Sequence, residues 1–183
     1  SLTNAMIISA GIFKGTLDGQ YHTVSFPPTP FFIHVTGDSK TNPAVIKNLI
    51  INNSRANINA SDTSVSHYRS AGALTPYGEY VTLERILLTQ SKLSGYLDGG
   101  ELIGKVSEEV TKKGSYLDMH ECAVSGVDVV GYDKSIRLLG GMVGYLFSSG
   151  EIKNSFSINS SVSSPNTTAS SLMGGIVGAS GDG

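Results

Sequence analysis

The sequence predicts an all-β fold: a right-handed parallel β-helix or related β-solenoid of about four to five degenerate coils. Three observations predict it. Short apolar segments recur along the chain, each bounded by glycine, serine or asparagine. Two different motifs alternate along it in fixed order. And the composition disfavours helix: 22 of 183 residues are glycine, about 12% against roughly 7% on average, with serine, threonine and valine abundant.

The first motif is seen best in "EIKNSF", Glu151 to Phe156, and in "VIKNLI", Val45 to Ile50. Two weaker copies are "TLERIL" from Thr82 and "DMHECA" from Asp118. Aligning the four superposes Ile46, Leu83, Met119 and Ile152, at intervals of 37, 36 and 33 residues. Two positions on stand Asn48, Arg85, Glu121 and Asn154, and the next position holds Leu49, Ile86, Cys122 and Ser155. The second motif is a glycine-apolar element: "AGAL" from Ala71, "GELIG" from Gly100, "GGMVG" from Gly140 and "GGIVG" from Gly174. Its glycines serve either a positive φ at a corner or a close approach of neighbouring backbones.

A unit of 33–37 residues with such short segments is a stacked coil of strands, each burying its inner face against the coils on either side. Alternation is visible in "LIINNSRANI" and in "AVSGVDVV", where Val124, Val127 and Val129 are expected to face inward. Charged residues make up only 15% of the chain, which suits a stack with few places for repelling like charges.

"GGMVGYLFSSGEIKNSFSINSSVSS", Gly140 to Ser164, resembles the GLUG-motif repeat family: a glycine pair, two apolar residues and glycine, then an "IxNS" element and a valine-serine tail. "GIFKGTLDGQYHTVSF", Gly11 to Phe26, is similar to the opening coil that precedes such repeats, with matches at Phe13, Gly15, Asp18, Gly19, His22 and Thr23. Tyr21 departs from that pattern, which favours glycine there. The resemblance covers roughly Gly11 to Gly178 and is strong from Gly140 onward. It implies a bacterial-type surface or secreted protein, as in adhesin-like haemagglutinins and the non-catalytic regions of some immunoglobulin A proteases.

The organisation expected is therefore one domain over 1–183. It has an opening coil over 11–44, repeats over 45–183, and a charged insertion near 105–114 that reads as a short exposed helix. The spacing places the end of the chain between coils, without a polar cap. This predicts a segment of a longer protein, or an end covered by a partner or by further β-helix coils of the same or another chain.

Candidate chemistry is thin. "GGELIGKV", Gly99 to Val106, approaches a phosphate-cradling loop, but Val106 stands where a hydroxyl is needed and the sister copies lack the lysine. Asp18 beside Gly19 reads as a turn former. Asp118, Glu121 and Asp128 read as a solvated face, and His22, His34, His67 and His120 lack metal-ligand spacing. Cys122 is the sole cysteine and reads as a small buried hydrophobe. No catalytic, cofactor or metal site is assigned. Asn52, Asn59, Asn159 and Asn166 lie in N-x-S/T sequons and are glycosylation candidates only in a eukaryotic secreted setting.

With a formal net charge of −2 and no basic stripe, nucleic acid is not an expected partner. No apolar run approaches the roughly 18 residues of a membrane span. The N-terminal "SLTNAMIISAG" lacks the charged start and long apolar core of a signal peptide. The function expected is a non-catalytic, extracellular or cell-surface structural or adhesive segment that meets host or matrix protein or glycan. Its specificity would sit on inserted loops at 63–80 and 105–114. Two alternatives are a fibre subunit stacking end to end, and a polysaccharide lyase or hydrolase.

Overall fold

The computed structural model describes residues 12–25, 30–57, 70–95, 98–107, 115–131, 137–164 and 171–181. These residues are all-β: strand accounts for 72% of them and none is helical. Every pairing between strands is parallel.

The strands fall into four rows. The first contains β1 (Ile12–Phe13), β3 (His34–Thr36), β7 (Thr75–Glu79), β11 (Ile103–Val106), the start of β16 (Val143–Lys153) and β20 (Val177–Gly181). The second, long row contains β2 (Thr16–Ser25), β4 (Ala44–Asn52), β8 (Val81–Thr89), β12 (Ser115–His120) with β13 (Ala123–Ser125), and the end of β16 with β17 (Phe156–Ile158). The third contains β5 (Arg55–Asn57), β9 (Lys92–Gly95), β14 (Asp128–Gly131) and β18 (Ser161–Ser163). The fourth contains β6 (Ser70–Ala71), β10 (Asp98–Gly100), β15 (Arg137–Gly140) and β19 (Ser171–Gly174). Because β16 runs through two rows, the first and second rows join as one 12-stranded sheet beside two four-stranded sheets.

From β3 onward the chain visits the rows in the same order on every pass, and the register is the one expected from the repeats. Val45 pairs with Thr82, Thr82 with Asp118 and Asp118 with Glu151, so Ile46, Leu83, Met119 and Ile152 lie one above another. Ile46, Leu83 and Met119 are fully buried, as are Val124, Val127 and Val129. Outward positions between them carry Lys47, Glu84, His120 and Lys153. Period-two alternation thus sets the buried face, and a slip by one residue would turn every apolar side chain outward.

Two further features of the repeat acquire a physical cause. The position holding Asn48, Arg85, Glu121 and Asn154 is left-handed in every pass, with φ between 48° and 55°. So is the next corner, at Asn53, Gln90, Gly126 and Asn159. Asparagine tolerates this conformation better than most residues, which accounts for its recurrence. Each such residue kinks the strand, and at three of them the serine that follows, Ser91, Ser155 or Ser160, closes the kink. Ser155 Oγ donates to the Lys153 carbonyl at 2.8 Å and accepts the Cys122 N–H of the neighbouring pass at 3.1 Å. Ser160 does the same with the Ile158 carbonyl and the Val127 N–H, and Ser91 with the Thr89 carbonyl and the Ser54 N–H. In the opening pass φ is +60° at Tyr21, the position where glycine was expected.

The glycine motif works by close approach, not by positive φ. A Cβ on Gly100, Gly140 or Gly174 would lie 2.1, 1.9 or 1.8 Å from the carbonyl oxygen three residues on. One alignment is corrected: Ala71 pairs with Gly99, so Gly72, not Ala71, is the counterpart of Gly100.

The expected insertion and loops are narrowed. Lys105 and Val106 belong to β11, where they pair with Tyr145 and Leu146, so the extra residues begin after them. Val106 pairs with Leu146 and Ser115 with Ser148; the whole segment between therefore replaces the single residue Phe147 of the next pass. Within 63–80, Ser70–Ala71 and Thr75–Glu79 are strands of the repeat, not loop. Of the helix expected over 105–114, Lys105 and Val106 are strand instead, and residues 108–114, like 63–69 of the other loop, lie outside the described residues.

Candidate functional site

The long row carries a polar ladder on its left-handed kinks. Asn48 donates from Nδ2 to Asp18 Oδ1 at 2.9 Å and accepts from Arg85 Nε at 2.7 Å. Arg85 Nη1 in turn lies 3.3 Å from Glu121 Oε2. Asp18, expected as a turn former, also accepts the Gln20 N–H at 3.0 Å and lies 3.7 Å from Lys47. The bond from Asn48 holds its carboxyl below the usual carboxylate range, helped by Gln20 and Lys47. Arg85 and Glu121, which break the asparagine pattern in sequence, keep the ladder in space by pairing with each other.

The phosphate-loop likeness dissolves in the structure. Gly99 and Gly100 end β10, the chain turns tightly, and Ile103 begins β11. A strand follows the glycines where a phosphate loop needs a helix N-terminus. The turn holds a carboxylate instead. Glu101 is fully buried, and its Oε2 accepts from Ser157 Oγ of a later pass at 3.0 Å while Oε1 has no hydrogen-bond partner among the described residues. Burial pushes its carboxyl up to about 7; the Ser157 and Ser160 hydroxyls act the other way, and Asp128 adds to the rise. It borders a cavity of about 370 Å³ lined also by Gly141, Ser157, Ser160, Met173 and Gly175. Gly141 and Gly175 occupy the same step of the repeat as Glu101 and line the cavity that it borders.

A second buried carboxylate, Asp98, starts the same β10. It accepts from Ser70 Oγ at 3.3 Å. Burial raises it to about 6, against Lys105 and Ser70, which lower it. Lys105 Nζ stands 5.6 Å from the centre of the Tyr145 ring. Sequence reading missed Asp98 and Glu101. The available signal was the substitution of glutamate for the second glycine of "GGMVG", a place where the copies disagree.

The residues singled out beforehand do not gather into one site. Glu121 pairs with Arg85, whereas Asp128 accepts from Ser161 Oγ on another row. His34 Nε2 lies 3.7 Å from Glu79 and its ring packs edge-on against Tyr77; His22 and His120 sit on strands of the long row, and His67 is outside the described residues. Among the described residues, no three His, Cys, Asp or Glu side chains converge in a way that could hold a metal ion. Cys122 is buried, as expected, and burial pushes its thiol up to about 11. Of the sequons, Asn52 lies in β4 and accepts from Thr89 Oγ1 at 3.0 Å, and Asn159 is exposed at a left-handed corner. Asn59 and Asn166 lie outside the described residues.

No family model, curated protein or solved structure matches the chain.

Proposed function

We propose that the chain is a right-handed parallel β-helix segment of the GLUG-repeat kind, with a non-catalytic structural and adhesive role at a cell surface or outside the cell. The observation that carries this reading is the register. The same row positions pair in successive passes, apolar inside and charged or hydroxylated outside. Such a stack holds its faces rigid, and rigid flat faces suit spacing and surface contact. The right hand is favoured because crossovers between parallel strands of one sheet take it almost always. Adhesion of beads coated with the chain to surfaces bearing matrix proteins or glycans tests the role: retention above that of uncoated beads is expected, and none would defeat it.

One observation favours a second reading. A buried carboxyl titrating near 7 beside a cavity is an arrangement used by general acids, and Glu101 has both features. Incubation with acidic and neutral polysaccharides separates the two. Cleavage that Glu101→Gln abolishes would replace the structural reading with a catalytic one.

A further inference from the structure

We propose that the outer face of the first row carries a subsite for a neutral hexopyranose unit of a glycan, in which Tyr145 and Phe147 take the sugar's C–H face and Asp98 and Lys105 take its hydroxyls. This rests on the adhesive reading above and gives it a location.

Three observations carry it. The first is place. The site lies within the stack and not at its ends. β16 brings Tyr145 and Phe147 and pairs with β11 on one side and β20 on the other; β11 brings Lys105 and pairs also with β7. The first and fourth rows press together here, backbone to backbone. A Cβ on Gly104 would lie 2.8 Å from the Ala71 nitrogen, one on Gly144 2.6 Å from the Gly99 nitrogen, and one on Gly178 2.5 Å from the Leu139 carbonyl oxygen. With no side chain between the rows, their outward side chains meet across the seam. A Cβ on Gly99 would point at Val129 and Leu139 in the core, so Asp98, one residue before, faces outward. Burial raises the Asp98 carboxyl and Lys105 acts against it; burial and then Asp98 raise the Tyr145 hydroxyl. The three groups thus share one neighbourhood.

The second is shape. Tyr145 and Phe147 are both partly exposed, with ring centres 5.8 Å apart and planes tilted by 34°. The next pass sets only Ala179 and Gly181 beside them, and a Cβ on Gly181 would lie 2.9 Å from Tyr145 Oη and from the Phe147 ring. Lys105 Nζ stands 5.6 Å from the centre of the Tyr145 ring. A pyranose has a face of C–H groups, which suits an aromatic ring, and a rim of hydroxyls, which needs donors and acceptors at that ring's edge.

The third is charge. A carboxylate only accepts and an ammonium only donates, whereas a hydroxyl does both. Ser70 Oγ donates to Asp98 at 3.3 Å and holds the carboxylate in place. Asp98 and Lys105 carry opposite charges. A uronate or sialic acid therefore meets a like charge at Asp98, and a free amine meets one at Lys105. A neutral sugar meets neither.

Saturation-transfer difference NMR of the intact chain tests this, with neutral oligosaccharides ending in galactose, glucose or mannose and matched ones ending in glucuronate or sialic acid. Transfer to a neutral terminal ring is expected, stronger than to any acidic one. Tyr145→Ala should weaken binding about tenfold. Tyr145→Leu, which keeps bulk but not the ring, should weaken it too, and Tyr145→Phe should retain it. Asp98→Asn should turn the preference towards the acidic sugars, because Lys105 then stands uncompensated. No transfer to any neutral sugar, an acidic preference in the parent, or binding indifferent to Tyr145→Ala and Tyr145→Leu overturns the proposal. The bead assay separates this from the reading beneath it. Parent adhesion to deglycosylated matrix protein that Tyr145→Ala leaves undiminished defeats the subsite alone. No adhesion by the parent to any surface defeats the adhesive role.

Discussion

Asn48, Arg85, Glu121 and Asn154 share a backbone conformation and little side-chain chemistry. A left-handed residue other than glycine costs roughly 1–2 kcal/mol, less for asparagine. Arg85 and Glu121 meet that cost while paired to each other, with Arg85 also donating to Asn48. The repeat was legible in sequence through Ile46, Leu83, Met119 and Ile152, because inward positions admit only apolar side chains of similar bulk. The kink was not, since conformation is shared there and identity is not. Glu101 was illegible for a related reason: it stands in a glycine motif, and only the fold reveals that it shares a cavity with its sisters Gly141 and Gly175. Its titration gives a prediction. The folded pKa is raised to about 7 from an ordinary value of 4.5, so ionisation opposes folding. The contribution is fully present at pH below 4.5 and is lost as pH rises through about 7. Chemical denaturation should find Glu101→Gln close to the parent near pH 4 and more stable than it at pH 8, within the limits set by other titrating groups. A parent advantage at pH 8 would contradict this burial.

At the scale of the element, the two motifs do opposite work. The left-handed residue and its serine bend a strand and tie it to its neighbour, through pairs such as Ser155 with Cys122. The glycine motif turns the chain between rows with no room for a side chain at its first position. Gly100, Gly140 and Gly174 hold that position. Gly140→Ala would drive a Cβ to 1.9 Å from the Val143 carbonyl oxygen, whereas Gly175→Ala meets open space. Gly140→Ala should lower stability by more than about 2 kcal/mol, and Gly175→Ala should leave it within about 0.5 kcal/mol. Urea midpoints check both. Equal effects would show that the corner relaxes. The one-residue error at Ala71 arose here, since "AGAL" shares no glycine pair with its sisters and only the pairing of Ala71 with Gly99 fixes its place.

At the scale of the whole molecule, each pass pairs its strands only with those of the passes beside it, so stability is in the main a sum of local and neighbour terms. Among the described residues the middle passes are covered on both sides and the outer ones on one. Leu83, Leu88, Leu117 and Met119 are fully buried, while Phe156, Ile158, Leu172 and Met173 at one end are about half exposed. Native-state hydrogen exchange should therefore rank β8 and β12 as the slowest strands, with β17, β18 and β19 the fastest. Uniform protection from end to end would mean that the stack opens only as a unit.

The segment between Val106 and Ser115 stands where the next pass has Phe147 alone, and the strands on either side keep their partners. The molecule keeps its phase by counting layers and not residues. Length can thus be added at this corner without being passed on to the rest of the chain. That makes it a natural graft point, where a foreign peptide would be carried at a fixed height along a rigid support.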